Sequence, residues 1–461
     1  MDAGAAIGGT FGDASSPNGG HAGSAGMRNG PPTGAGGASA TCTFMAASST
    51  SAKIPTVGIV TFTTTLTRPT EAHIDFGLDT SYGMTAPVDL NQPSYRTLLL
   101  GMKPARTYHF RIVATNGNDV CASADDVIDT GALAAGLLPP LTVTTVDKRV
   151  LYGGFLVFTQ YRGAIASGTP AAIVDADGDY VWWYPDALTD PAGARLTADG
   201  GSMWINSANI PRTAAQVHKV TMDGATNADF SIAFAGAHHQ LAPLPDGSVA
   251  FCAYDPASGC DDIKLFPANG TTNSSATTVV NANAAHGGTG ACQCSGIAYG
   301  ADDDTLVFSD LDDDCVTKIT RNGSTVWVLN GGANGTINSF SGDTWTGGVH
   351  GLQVLSPADI LMFANNSATG SGSMALEMRL DTSALKATKA WPYVANPAIQ
   401  VDVMGDVQRL PNGNTVVAYS SKGELQEVDA NGVVLQDIKW PAGASFGYIE
   451  KRRTLYGPPI R

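Results

Sequence analysis

The chain has 461 residues, enough for two or three domains at roughly 100 to 200 residues each. Charged residues make up 15% of it, against about 25% in an average globular chain, and 54 glycines with 25 prolines imply many turns and short elements, which excludes a helical bundle or coiled coil. With 41 acidic and 26 basic residues the net charge is -15, which works against nucleic-acid or anionic-lipid binding, and no apolar run of roughly 18 residues is present to span a bilayer.

Residues 1–41 are mostly Gly, Ala, Ser, Pro and Asn and bury too little apolar surface to offset chain entropy, so a disordered tether is expected there. Such a spacer suits attachment of an exported domain to a cell surface, although the first residues carry neither a basic start nor an apolar core of a signal peptide. Seven cysteines (Cys42, Cys121, Cys252, Cys260, Cys292, Cys294 and Cys315) point to an oxidising compartment, with buried free thiols as the alternative. Three pairs with one thiol left over are expected, and Cys42–Cys121 and Cys252–Cys260 are suggested by their falling in the same domain.

Residues 42–132 read as a small β-sandwich, with alternating strands at 57–65, 72–76, 95–100 and 108–115 separated by turn residues. The run LLLGMKPARTYHFRIVATN resembles the end of a fibronectin type III domain, and the resemblance puts Tyr108 at the corner where a tyrosine hydroxyl bonds upstream backbone. Residues 133–141 are a linker.

From 142 to 461 an internal repeat appears. LTADGGSMWI from 196, LPDGSVAF from 244, ADDDTLVF from 301, SPADILMF from 356 and LPNGNTVVAY from 410 each place a turn before a buried strand. A second set carries the other turn of the unit: DADGDYVWWY from 175, TMDGATNADF from 221, RNGSTVWVL from 321, LDTSALKATKAW from 380 and VDANGVVLQDI from 428. Five copies plus the strands before Trp182 predict an all-β, six-bladed β-propeller. The C-terminal strand near Tyr448 is expected to pair near Phe155 and close the ring, leaving no free edge.

The pieces VDADGDYVWWYP, AHHQLAPLPDGSVAF, IAYGADDDTLVFSDLDDDCVTKI, WVLNGG, GVHGLQVL and GDVQRLPNGNTVVAYSSKGELQEVDANGVV, in this order, resemble the bacterial arylsulfotransferase family, which uses an aryl sulfate donor instead of a nucleotide sulfate. The resemblance covers about two thirds of the chain. It implies a central funnel in which His350 is the nucleophile, forming a sulfohistidine, and His238 or His239 binds sulfate oxygens. Strand alternation would send neighbouring side chains to opposite faces, so one histidine of the pair is expected to face the channel. Gln293 stands where the family has a histidine and Leu311 where it has an arginine. The acidic residues Asp310, Asp312, Asp313 and Asp314 beside them would repel a sulfate unless a cation or a displaced arginine compensates. Arg379 and Arg409 are candidate substitutes, and Trp345, close to His350, is a candidate to stack on an aromatic ring.

Other motifs have plainer readings. Asp175, Asp177 and Asp179 resemble the start of a calcium loop but lack its closing glutamate, so a hairpin turn is expected. His286, Cys292 and Cys294 have metal-compatible spacing without a second ligand pair, and disulfide use is favoured. No metal or cofactor is called for. Two functions follow: sulfuryl transfer from a small aromatic sulfate to a phenol, or a propeller that has lost turnover and binds a ligand or a surface.

Overall fold

The computed structural model describes residues 42–162, 171–184, 186, 188–207, 212, 215–330, 336–340, 345, 347–365 and 371–457. The expected tether lies outside the described residues. The described residues are almost entirely β, with one short α-helix, Ala282–His286, and two single 3-10 turns, Pro93–Tyr95 and Ser420–Lys422.

The N-terminal part is a sandwich of two sheets. One contains Phe44–Thr50, Gly58–Thr64 and Thr97–Leu99; the other contains Met84–Pro87, Glu71–Gly77 and Thr107–Asn116, edged by Asp119–Ala122 and Asp126–Asp129. Alternation places Val60, Phe62, Ile74, Phe76, Phe110 and Ile112 in one core between them. The backbone N–H of Lys103 donates to the Tyr108 hydroxyl at 2.8 Å, and Cys42 is disulfide-bonded to Cys121. The strand Phe44–Thr50 escapes a sequence reading because its FMAASST is small, polar and largely exposed.

Six further sheets of four or five antiparallel main strands follow in chain order. Blade 2 begins with the inner strand Pro191–Leu196, blade 3 with Ala237–Pro243, blade 4 with Cys294–Gly300, blade 5 with Val349–Ser356 and blade 6 with Asp406–Arg409. Blade 1 takes its inner strand, Ser445–Arg452, from the C-terminus, paired with Phe155–Arg162 in the register Phe155↔Arg452. Each inner strand packs beside the next and blade 6 returns to blade 1, so the sheets form a closed ring of blades, the arrangement of a β-propeller. The chain after the sandwich adds Thr142–Thr145 to the outer edge of blade 6 before reaching blade 1, so the ring is tied at both termini.

The apolar runs of the second strands follow from this packing. Each blade is covered on both faces, so alternating residues serve two cores. Leu306 and Phe308 of blade 4 pack on blade 3, whereas Val307 packs on blade 5; in blade 5, Ile360 and Met362 face blade 4 while Leu361 and Phe363 face blade 6.

The sandwich is docked on blades 1 and 2. Ile54, Val57 and Leu100 join the core shared by those blades, Thr56 Oγ1 donates to the Val181 carbonyl at 2.8 Å, and Arg96 pairs with Asp223. The calcium-like aspartates do lie on a hairpin turn, and the Lys103 ammonium fills their centre, 3.0, 3.3 and 2.6 Å from Asp175, Asp177 and Asp179.

The disulfide expected between Cys252 and Cys260 is not formed. Across their hairpin Cys252 lies opposite Ile263 and Cys260 opposite Asp255, so the two are out of register. Cys260 instead bonds Cys292, in the crossover into blade 4. Cys252, Cys294 and Cys315 are buried thiols, giving two disulfides where three were expected.

Candidate functional site: a histidine cluster at one mouth of the ring

Each inner strand is preceded by a crossover from the previous blade, and all but the C-terminal one are followed by a hairpin, so the first residues of all six strands gather at one mouth of the central channel. Glycines let them approach. A Cβ on Gly296 would lie 1.9 Å from the His350 carbonyl oxygen, and one on Gly351 would lie 2.3 Å from Asp406 Oδ1. Below, the buried Tyr448 of blade 1 donates its hydroxyl to the Ser295 carbonyl of blade 4 on the opposite side of the ring. This bond spans the channel and forms a floor.

Above it lie His238, His239 and His350. The ring centroids of His239 and His350 are 6.2 Å apart, although their strands belong to blades 3 and 5. The alternation expected for His238 and His239 fails, for a specific backbone reason. The pairing of the inner strand jumps from Ala237↔Ala253 to Leu241↔Phe251, a bulge in which His239 takes φ +54°. Its carbonyl is secured by the Asn206 amide at 2.7 Å. The bulge turns both imidazoles toward each other, with Nδ1 atoms 2.6 Å apart, so one ring donates to the other.

Asp261, fully buried at the start of the third strand of blade 3, organises this side. Its Oδ2 accepts the Cys294 N–H at 2.7 Å and lies 3.0 Å from His238 Nε2, out of line for a good hydrogen bond. Its Oδ1 lies 3.0 Å from Arg212 Nη1. The Arg212 guanidinium also donates to the Cys292 carbonyl at 3.2 Å and sits 4.5 Å above the Tyr254 ring.

His350 is 4% exposed and its Nδ1 bonds Asn365 Oδ1 at 2.5 Å. The Asn365 amide nitrogen donates to the Val401 and Met404 carbonyls at 2.9 Å each, so its oxygen is the atom left for His350. The histidine therefore donates from Nδ1 and keeps its lone pair on Nε2. Burial pushes the His350 pKa below its ordinary value, against the Asn365 bond. Burial, followed by the neighbouring His238, His350 and Arg212, pushes that of His239 well down. Both rings are neutral near pH 7.

The other expected site residues fall as follows. Gln293 lies in the crossover into blade 4, where its N–H donates to Asp310 Oδ1 at 3.2 Å and its carbonyl accepts the Leu311 N–H at 2.8 Å. Trp345 packs beside Phe340, centroids 5.7 Å apart, against the core between blades 4 and 5. Arg379 is a correction: it lies on the third strand of blade 5, two strands out from the inner one, where it is 65% exposed and pairs with Asp359 at 2.8 Å. Arg409 is held at the junction of blades 5 and 6 by Glu377 at 2.9 Å and by stacking on Trp391, away from the histidines. Cys292, in a disulfide, is not available to the metal spacing suggested with His286 and Cys294. Arg212, Asp261 and Asn365 were not singled out by sequence reasoning. The only signal was the arithmetic of missing charge, which asked for a displaced arginine without locating it.

Fold and site together define a β-propeller with a buried histidine cluster at one mouth of its ring. Residues 270–439 match the arylsulfotransferase (ASST) family, a span that includes Gln293, Leu311, His350 and Asn365 and leaves out His238, His239 and Arg212. No curated protein sequence matches the chain. Among solved structures it is similar to a protein of unknown function from Bacteroides caccae, at 16% identity over 67% of this chain and 99% of that one with a TM-score of 0.43. It is also similar to TolB from Acinetobacter baumannii, at 13% identity over 76% and 81% with a TM-score of 0.42. A third is the Cps50 (Swd1) β-propeller domain of Myceliophteria thermophila, at 11% identity over 67% and 92% with a TM-score of 0.42. None of these structural likenesses bears on function.

Proposed function

We propose that the protein is an exported arylsulfotransferase-like enzyme that moves a sulfuryl group from an aryl sulfate to a phenol. The Nε2 lone pair of His350 attacks sulfur as the sulfur–oxygen bond to the aryl group breaks; a phenolate leaves and a sulfohistidine remains. An acceptor phenol then attacks the same sulfur, and the nitrogen–sulfur bond breaks as the phenolic proton passes to neutral His239. Negative Asp261, acting through His238, stabilises the imidazolium so formed. Arg212 supplies positive charge for the sulfuryl oxygens from blade 2, in place of the arginine missing at Leu311.

The observation that carries this reading is the His350–Asn365 bond, which fixes a neutral imidazole in the nucleophilic tautomer inside the ring. Export is supported by the disulfides Cys42–Cys121 and Cys260–Cys292. In the same reading 42–132 is a fibronectin type III-like spacer, 142–461 the catalytic propeller, and 1–41 a tether to a cell surface.

The test is incubation with 4-nitrophenyl sulfate and a phenol, beside His350→Ala. Nitrophenol release by the wild type alone, with a sulfated His350 peptide found by mass spectrometry, is expected. Equal release by both proteins would remove His350 as nucleophile, and no release by either would favour a binding-only propeller.

A further inference from the structure

The inner strands of blades 2 to 5 share an irregularity. Each slips register against its second strand starting from its own first residue, at Pro191–Gly193, Ala237–Leu241, Cys294–Gly296 and Val349–Leu352. A bulge takes the residues inside it out of the ladder and re-aims their side chains. The second residue of the strand, inside the slip, is His238 in blade 3 and His350 in blade 5; in blade 4 it is Ser295. Ser295 thus holds in blade 4 the place that a histidine holds in the blade on either side.

Backbone contacts fix it between the two. The N–H of the preceding residue, Cys294, donates at 2.7 Å to Asp261 Oδ2, the oxygen beside His238. The following residue, Gly296, packs on blade 5, where a Cβ would lie 1.9 Å from the His350 carbonyl oxygen. The Ser295 carbonyl accepts the Tyr448 hydroxyl. The Ser295 hydroxyl is the exception: the residue is 0% exposed, and Oγ has no hydrogen-bond partner among the described residues. A buried hydroxyl left unpaired lowers stability, a cost that calls for a use.

We propose that the Ser295 hydroxyl donates a hydrogen bond to a non-bridging oxygen of the sulfate group held at His350. This rests on the aryl sulfate reading of the site and adds a residue to it. A sulfate ester presents three such oxygens, and one planar guanidinium, that of Arg212, meets two of them at most. A hydroxyl is free to turn its proton toward the third. Ser295 lies between the carboxylate that serves His238 and the strand that carries His350, so it borders the place where sulfur meets the nucleophile.

The experiment compares the full-length wild type with Ser295→Ala and the control Ser309→Ala, whose hydroxyl is also buried without a partner but lies on the second strand of blade 4. With 4-nitrophenyl sulfate and a phenol, Ser295→Ala should lower kcat/KM about 10²-fold and Ser309→Ala should leave it unchanged. Calorimetric titration with inorganic sulfate should show binding weakened about tenfold in Ser295→Ala alone. Because the hydroxyl has no partner in the folded chain, Ser295→Ala should keep or raise Tm, whereas loss of a merely structural serine would lower it. Full activity in Ser295→Ala, an equal loss in Ser309→Ala, or a loss accompanied by a fall in Tm would each overturn the proposal; an active wild type beside an inactive His350→Ala would in those cases leave sulfuryl transfer intact. A wild type that releases no nitrophenol yet binds sulfate through Ser295 would end the transfer reading and support the donor. Neither release nor sulfate binding would end both.

Discussion

Asn365 fixes the tautomer of His350: the imidazole donates from Nδ1 at 2.5 Å to an amide oxygen whose own nitrogen is occupied by two backbone carbonyls. Asn365→Ala should therefore act on chemistry more than on binding. A fall in kcat of about 10²-fold with a smaller change in KM is expected, since misorienting a reacting group by about an ångström has that effect. The two abandoned carbonyls should also lower stability by about 2 to 4 kcal/mol in urea unfolding. An unchanged kcat in a folded variant would contradict the assignment.

The buried histidines make stability depend on pH. His239 and His350 titrate below their ordinary 6.5 when folded, so between those lower values and 6.5 the unfolded chain binds more protons. Their contribution is complete above about 6.5 and is lost as pH falls, by roughly 1.4 kcal/mol per histidine per pH unit. Urea midpoints measured from pH 7.5 to 5 should show this decline, and His350→Asn should reduce its slope. A flat profile would mean that the imidazoles are not buried neutral.

Arg212 reaches the site from the chain between the second and third strands of blade 2. Arg212→Leu should lower kcat/KM for an aryl sulfate by about 10²-fold or more. Arg212→Lys keeps the charge but not the planar fork and should fall between the two. Equal activity of all three proteins would show that the guanidinium does not meet the sulfuryl group.

The cysteine pairing has a simple chemical check. Oxidised protein, denatured and titrated with a thiol reagent, should show three thiols, rising to seven after reduction. Loss of Cys42–Cys121, which closes a separation of 79 residues, should cost the sandwich roughly 4 to 5 kcal/mol in the chain-entropy account. One thiol before reduction would mean that Cys252 and Cys294, buried in the same core between blades 3 and 4, had joined as a third bridge.

Much of the ring was legible because its turns are local. LPDG from 244 bends the chain between two strands of one blade: Asp246 accepts the Ser248 N–H at 2.9 Å and Gly247 takes φ +86°. Five such hairpins, with apolar strands behind them, carry the periodicity along the chain. The blade 3 counterpart of the second turn set was not recognised, because ANGTTNSSA joins Cys260–Phe266 to Thr277–Asn281 through a longer loop without the compact turn signal. The edge strand Thr142–Thr145 was equally hidden, since it pairs with residues almost 300 positions away.

Sequence by itself determined the strands, the turns between them and the presence of histidines at the starts of two inner strands, since each depends on residues a few positions apart. Only the tertiary structure decided which groups meet. The bulge at His239 comes from a register shift against a neighbouring strand, Arg212 arrives from another blade to pair with Asp261, and Cys260 passes over its hairpin partner for Cys292. Those meetings depend on the closing of a ring, which brings together residues separated by tens to hundreds of positions, and no local pattern records the distance across it.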